Sequence, residues 1–130
     1  DISQSAAVEN CIATWQPQAV VHLASVVTPP PGMSEAHLHA IDVGGTQALI
    51  RAAAAHGVEQ LIFTSSGAAY GYDPQNAEWL DEDQPLRGHA DFAYAKHKRE
   101  VPRPAPAERR HLQLGRRRRA VTQGHRRTAR

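Results

Sequence analysis

The stretch VEQLIFTSSGAAYG, residues 58–71, decides the fold class of this chain. Its apolar centre, Leu-Ile-Phe, follows Gly57 and ends at Ser65, Ser66 and Gly67, which is typical of a short strand that stops at small polar residues. The centre is continuous rather than alternating, so we expect a strand that is buried on both faces in a parallel sheet. Such a strand needs a partner strand and a connecting helix.

The upstream residues supply both of these elements. AVVHLA, residues 19–24, is a second β-branched run, bounded by Pro17 and by the Pro-Pro-Pro-Gly breaker at residues 29–32. It predicts another buried strand. Between the two runs, Ser34 predicts the start of a helix as its N-cap and Gly57 predicts its end.

Further helices are predicted on both sides of this unit. Residues 4–15 carry an apolar face, on which Cys11 is expected to be a small buried residue. A loop rich in Gly, Asp, Pro and Asn leads to a last helix that starts near Asp91. Within the central helical pattern, Gly44 and Gly45 each cost about 1 kcal/mol relative to alanine. We therefore expect another part of the chain to pack closely against their backbone.

The predicted order of helix, strand, helix, strand, loop and helix is that of an α/β, doubly wound parallel sheet. With 130 residues the chain has the size of one domain. Two strands alone would leave their edges and faces too exposed, so we expect further strands from another part of the protein or from a partner.

Composition narrows the setting in which this domain works. One cysteine excludes an internal disulfide and a multi-cysteine zinc site, and no metal site is expected from the eight histidines. No run approaches the roughly 18 apolar residues that span a bilayer. We expect a cytoplasmic protein that has no membrane partner.

The last 30 residues differ sharply in charge from the rest. Residues 1–100 hold five Lys/Arg and twelve Asp/Glu, a balance of −7, whereas residues 101–130 hold ten Arg and one Glu, a balance of +9. We divide the chain into a domain at 1–101 and an irregular basic tail at 102–130. Three interpretations of the tail are open: a shifted reading frame, a disordered basic extension, and a contact for nucleic acid, which we rank last because aromatic residues for base stacking are lacking.

The segment FAYAKHKRE, residues 92–100, carries the candidate chemistry. Tyr94 and Lys98 are four residues apart, so a helix places them on one face about one turn apart. A positive charge beside a phenol stabilises the phenolate, which then serves as a base near neutral pH. Ser65 and Ser66 follow the second strand, at the carboxyl end where open α/β sheets bind their ligands. A tyrosine, a lysine and a serine are thereby expected around one pocket.

Four segments together resemble one enzyme family. They are VVHLAS at 20–25, DVGGTQALIRAA at 42–53, VEQLIFTSSGAAYG at 58–71 and YAKHK at 94–98. In this order and spacing the chain is similar, from residue 1 to about 101, to the extended short-chain dehydrogenases/reductases, which are NAD(P)-dependent epimerases and dehydratases. The resemblance implies a partial Rossmann-like fold and NAD or NADP as the cofactor.

The resemblance also implies roles for individual residues. Ser66, Tyr94 and Lys98 would be catalytic, with Tyr94 as acid and base and Lys98 holding the ribose hydroxyls and easing loss of the tyrosine proton. Cofactor contacts would come from Tyr94 and Lys98 and from six further residues. These are Asp1, Ile2, Leu23, Ala24, Ser25 and Thr64.

Two features depart from the family pattern. Asp42 stands where the family has asparagine, and a carboxylate can only accept hydrogen bonds. These 130 residues contain no GxxGxxG motif, the loop that places a dinucleotide pyrophosphate on a helix N-terminus. The leading hypothesis is an oxidoreductase acting on a hydroxyl or keto group of a sugar nucleotide or similar small molecule, present as an incomplete chain that is inactive alone. The alternatives are a non-catalytic interaction module, with a homo-oligomer left open, and a nucleic-acid binder.

Overall fold

The computed structural model describes residues 1–81 and 83–101. The proposed basic tail at 102–130, with its three interpretations, lies outside the described residues. The described part is an α/β unit, as the sequence predicts. Its elements, in chain order, are α1 (Ser5–Trp15), β1 (Ala19–His22), α2 (Glu35–His39), a π-helix (Ala40–Gly45), α3 (Thr46–Ala55), β2 (Gln60–Phe63), a 3-10 helix (Gly67–Tyr70) and α4 (Ala93–Glu100).

Strands β1 and β2 pair in parallel and form a two-stranded sheet, with Ala19 opposite Gln60 and His22 opposite Phe63. Parallel pairing requires a crossover, which the helical residues between the strands supply. The parallel α/β arrangement predicted from the sequence is therefore confirmed. Because both strands run in the same direction, their carboxyl ends lie together at one edge of the sheet.

One apolar core lies between the sheet and the helices α1 and α3. Val8 and Ile12 come from α1, while Leu49 and Ala52 come from α3, and Leu61 is the buried centre of β2. The spacing of four residues between Val8 and Ile12 places both on one face of α1. The small side chains of α3 allow close packing of the two helices, in keeping with the low aromatic content of the sequence.

The prediction that both strands are buried on both faces is wrong. Val21 in β1 is 57% exposed, and Leu61 is the buried residue of β2. The helices α1 and α3 cover the sheet from the core side, where Val20 and Leu61 pack against the core, and Val21 is on the uncovered side. Cys11 is also exposed rather than buried, because Val8 and Ile12 are the residues of α1 that enter the core.

The central helix starts and ends where the sequence predicts. The Ser34 side chain accepts a hydrogen bond from the backbone N–H of His37 at 3.2 Å, and Gly57 adopts a left-handed φ of +70° after α3. The helix widens into a π-helix in the middle, which the apolar pattern did not indicate.

The two central glycines differ in their surroundings. A methyl group on Gly45 would meet the side chain of Ile2 at 2.7 Å and its carbonyl oxygen at 2.8 Å, which confirms the predicted close approach. A methyl group on Gly44 would meet no described atom within 4 Å, so the same prediction is wrong for Gly44. Of these two glycines, Gly45 is the one at which a side chain would collide with a neighbouring residue.

Within residues 1–81 and 83–101, no helix has both the length and the apolar character needed to cross a bilayer. Of the α-helical segments in this part of the chain, α1 is the longest, with 11 residues.

Candidate active site

The carboxyl ends of β1 and β2 form the base of the candidate site. Beyond the paired strands, the backbone N–H of Thr64 donates to the carbonyl oxygen of His22 at 3.2 Å, so the ladder continues one step past β2. Leu23, the next residue after β1, is 63% exposed, and Thr64 is exposed as well. The backbone at this edge is therefore accessible to a ligand.

Lys98 of α4 reaches this edge from the side. Its Nζ donates a hydrogen bond to the carbonyl oxygen of Thr64 at 3.1 Å, and it lies 4.8 Å from the centre of the Phe63 ring. The same Nζ lies 5.5 Å from the centre of the Tyr94 ring. Tyr94 and Lys98 are thus on one face of α4, as the spacing predicts, and the ammonium lies between the phenol ring and the strand end.

Burial of Lys98 has an electrostatic consequence. The residue is 5% exposed, and loss of hydration lowers the pKa of its ammonium below the ordinary value of 10.5. The Asp42 carboxylate acts in the opposite direction and favours the charged form. An ammonium in this position still has N–H groups beyond the one that Thr64 accepts, because lysine carries three.

Ser66 lies at the start of the 3-10 helix that follows β2. Its side-chain oxygen accepts a hydrogen bond from the backbone N–H of Ala68 at 3.2 Å, so Ser66 caps this helix. The 3-10 helix packs directly on α4. Gly88 lies in this contact, since its N–H donates to the carbonyl oxygen of Ala69 at 2.9 Å and its α-carbon faces the carbonyl of Ala95. This packing joins the element of Ser66 to the element of Tyr94 and Lys98.

Asp42 is the centre of a buried hydrogen-bond network. Its Oδ1 accepts from the Ser25 hydroxyl at 3.0 Å and from the backbone N–H of Val26 at 2.9 Å. Its Oδ2 lies 3.1 Å from Nδ1 of His97. A carboxylate can only accept, and three donors surround it here, so Asp42 suits this position although the family pattern has asparagine.

A second histidine joins β1 to α3. The hydroxyl of Thr46 donates to the carbonyl oxygen of Asp42 at 2.6 Å, and its oxygen then accepts from Nε2 of His22 at 2.9 Å. Burial lowers the pKa of His22 below its ordinary value of 6.5, the charge of Lys98 lowers it further, and Asp42 opposes both. His22 is therefore a neutral, hydrogen-bonded residue of the core.

The structure places the other predicted cofactor residues in two groups. Leu23, Ala24 and Ser25 follow β1 at the carboxyl edge of the sheet, beside Thr64. The N-terminal pair lies elsewhere: Ile2 packs on Gly45, and the Asp1 carboxylate accepts hydrogen bonds from Ser3, at 2.9 Å from its backbone nitrogen and 2.8 Å from its hydroxyl. The contacts of Asp1 and Ile2 are thus with the chain around α1 and the π-helix, not with Lys98 or Tyr94.

Sequence reasoning missed the role of His97. His97 is fully buried, at 0% exposure, and pairs with Asp42. In the sequence it is one of eight histidines, and nothing in its residue type distinguishes it from the other seven. The available signal was its position directly before Lys98, combined with the carboxylate at Asp42. Among the described residues, no group of three or more His, Cys, Asp or Glu side chains is placed to hold a metal ion.

The sequence matches the model of a known protein family. The description of that family is "NAD dependent epimerase/dehydratase family", and the match covers residues 1–103 of the 130. The chain belongs to this family. The resemblance inferred from the four sequence segments is confirmed.

Individual relatives agree with this assignment. The chain is 35% identical over 74 residues to dTDP-L-rhamnose 4-epimerase from Burkholderia thailandensis, covering 55% of this chain and 20% of that protein. It is 32% identical over 97 residues to UDP-glucose 4-epimerase 4 from Oryza sativa subsp. japonica, covering 74% of this chain and 26% of that protein. The solved structure of UDP-glucose 4-epimerase from Thermus thermophilus, complexed with NAD, is 29% identical with a TM-score of 0.60, and the match covers 75% of this chain and 31% of that one.

These likenesses bear on several expectations. They confirm the Rossmann-type α/β fold class, and a NAD-dependent family agrees with the expected nicotinamide cofactor. They support an enzyme of the epimerase/dehydratase type at the level of the family. The chain spans 20%, 26% and 31% of the lengths of these three proteins. The activity and substrate of the whole protein are therefore matters for proposal.

Proposed function

We propose that this chain is the part of a NAD(P)-dependent oxidoreductase that carries the catalytic base, and that the whole protein acts on a hydroxyl or keto group of a sugar nucleotide. The observation that supports this most is the position of Lys98, which is buried with its Nζ 3.1 Å from the Thr64 carbonyl and 5.5 Å from the Tyr94 ring. A structural lysine has little reason to bury its charge at the carboxyl edge of a parallel sheet.

Each of three side chains has a role in this proposal. Tyr94, as the phenolate, removes the proton from a substrate hydroxyl and becomes the neutral phenol, and Lys98 stabilises the phenolate before this step by Coulomb attraction. Ser66 holds the substrate oxygen by a hydrogen bond. Its hydroxyl hydrogen is available for this purpose, because the Ser66 oxygen accepts rather than donates in its bond with Ala68.

The residues at the strand ends fit a dinucleotide. The remaining N–H groups of Lys98 suit ribose hydroxyls, and the exposed edge formed by Leu23, Ala24 and Thr64 allows a flat ligand to approach the backbone. The nicotinamide, when bound, supplies the hydride acceptor and donor. Asp1 and Ile2 remain proposed contacts for the adenine end of the cofactor.

The proposal is tested with the whole protein that contains this chain and a sugar nucleotide carrying deuterium at C4, incubated with NAD⁺. We expect the carbon to lose deuterium as hydride and regain it, so that a product inverted at C4 retains the label. Dehydration, or release of the ketone together with reduced nicotinamide, would equally establish hydride removal. Absence of nicotinamide binding and of any product, across uridine and thymidine diphosphate sugars, would overturn the proposal.

A matched pair of lysine variants controls this experiment. Lys98→Met removes the proposed cofactor ligand, whereas Lys96→Met removes a lysine on the same helix that pairs with Glu35 at 2.9 Å on the surface. We expect Lys98→Met to lower turnover by about 10²-fold or more and Lys96→Met to leave it unchanged. Equal effects of the two substitutions would contradict the role of Lys98.

A second function, that of an interaction module, has one supporting observation. The exposed side chains of Val21 in β1 and Trp15 at the end of α1, which are 57% and 78% exposed, suit a covering protein surface. Size-exclusion chromatography of the 130-residue chain distinguishes the two functions. Stable association without nicotinamide binding would favour the interaction module, and nicotinamide binding by a monomer would favour the enzyme.

A further inference from the structure

A buried pair of side chains links two parts of the candidate site. Asp42 lies in the π-helix and His97 lies in α4, and their exposed fractions are 3% and 0%. On its other oxygen, Asp42 holds Ser25 and Val26, which follow β1 on the side expected to face the cofactor. The pair therefore joins the cofactor side of the site to the helix that carries Tyr94 and Lys98.

The hydrogen-bond partners define where the protons lie. The Asp42 carboxylate accepts on both oxygens, so Nδ1 of His97, at 3.1 Å, has to be the donor. Nε2 of His97 is buried and has no hydrogen-bond partner among the described residues. A proton on Nε2 would leave a buried donor unsatisfied, which is unfavourable. A neutral ring protonated on Nδ1 alone satisfies the Asp42 carboxylate and leaves a lone pair, rather than an N–H donor, unpaired on Nε2.

The surroundings of His97 agree with a neutral ring. The ring of His39 lies edge-on to it at 5.2 Å between centres, and Nε2 of His39 lies 2.8 Å from the Glu100 carboxylate. Lys98, the next residue, contributes a positive charge on the same helix, and the Asp42 carboxylate favours that charge. The negative charge of Asp42 thereby stays available to Lys98 rather than being neutralised by a histidinium.

We propose that Asp42 and His97 form a positioning pair in which neutral His97 donates from Nδ1 to the Asp42 carboxylate and so fixes α4, with Lys98 and Tyr94, against the segment after β1. The catalytic role of Tyr94 and Lys98 on α4 rests on the proposed function. The pairing of Asp42 with His97 and the position of the proton do not depend on that function, so they are tested separately.

The proton position is measured by ¹⁵N imidazole NMR of the histidine-labelled 130-residue chain, with His97→Asn identifying the His97 signals. We expect the ring of wild-type His97 to carry a proton on Nδ1 and none on Nε2. In Asp42→Asn the amide nitrogen faces His97 as a donor, so the proton is expected to move to Nε2. A wild-type ring protonated on Nε2, or on both nitrogens, would overturn the proposal whatever the variants do and whether or not the whole protein turns over a sugar nucleotide.

Positioning of Lys98 is measured by the rate at which an amine-reactive reagent labels it, with Lys96 as the internal reference. His97→Leu removes the donor, and we expect labelling of Lys98 to rise about tenfold, the factor that corresponds to loss of one hydrogen bond to a charged group, while labelling of Lys96 stays unchanged. His97→Asn places an amide donor where Nδ1 was and is expected to restore the wild-type rate. Equal labelling rates of Lys98 in the wild type and in His97→Leu would show that the pair does not position α4. A higher labelling rate at both Lys96 and Lys98 in His97→Asn would show the same.

Discussion

Gly88→Ala tests the packing of α4 against the 3-10 helix that Ser66 caps. The new methyl group would collide with the carbonyl oxygen of Ala95 in α4 and would lie 2.8 Å from its carbonyl carbon. Both are backbone atoms, so the collision is relieved by moving α4 or by moving the backbone of Gly88, which is hydrogen-bonded to Ala69 of the 3-10 helix. Forcing an extra methyl group into packed structure costs about 1–3 kcal/mol. For a domain of this size, that cost corresponds to a fall in Tm of roughly 4–20 °C.

The assay is thermal unfolding of the 130-residue chain followed by circular dichroism, with Gly67→Ala as the matched control. Gly67 lies in the 3-10 helix, where an added methyl group would meet no described atom within 4 Å. We expect this control to match the wild type or to gain up to about 1 kcal/mol from reduced freedom of the unfolded chain. If Gly88→Ala unfolds at the wild-type temperature, the close contact between Gly88 and α4 is not present in the molecule.

Three further predictions concern the helix and the buried titratable groups. Gly45→Ala should lower the free energy of unfolding by about 1–3 kcal/mol because of its contact with Ile2, whereas Gly44→Ala should raise it by up to about 1 kcal/mol. Equal unfolding free energies of the two variants in urea denaturation would refute this difference. Because burial lowers the pKa of Lys98, the free-energy cost of burying its charge applies fully at neutral pH and fades as the pH rises towards 10.5. The free energy of unfolding of the wild type should therefore rise with alkaline pH relative to that of Lys98→Met. Parallel curves of unfolding free energy against pH would contradict this. Because the pKa of His22 is lowered, the unfolded chain takes up a proton near pH 6.5 before the folded chain does, so the free energy of unfolding should fall below that pH. The fall should be smaller in His22→Gln, which keeps a donor for Thr46. Identical acid unfolding of both proteins would exclude this role.

Local signals in the sequence predict the elements well. Ser34 and Gly57 have the residue types that a helix N-cap and a left-handed terminus require, and the structure uses both accordingly. The spacing of Tyr94 and Lys98 likewise predicts their common helix face, because the helical repeat alone sets this relation. Such features depend on residues that are close in the chain.

Features that depend on distant residues were harder to predict. The burial of strand β1 depends on what covers its second face, and continuous apolar character alone led to the wrong prediction for Val21. The partnership of Asp42 with His97 spans 55 positions, so neither local segment identifies it unless the two are considered together. Gly44 and Gly45 are adjacent and identical in type, yet only Gly45 faces Ile2, which depends on how the N-terminus folds back.

The most direct test of the central claim, that Tyr94 is the base, is the single-turnover rate of hydride transfer to NAD⁺ in the whole protein. Tyr94→Phe keeps the ring near Lys98 and removes only the hydroxyl, and Tyr72→Phe makes the same change at a tyrosine that is 83% exposed. We predict that Tyr94→Phe slows hydride transfer by about 10²–10⁴-fold with nucleotide binding retained, while Tyr72→Phe transfers hydride at the wild-type rate. Wild-type hydride transfer in Tyr94→Phe would contradict the account.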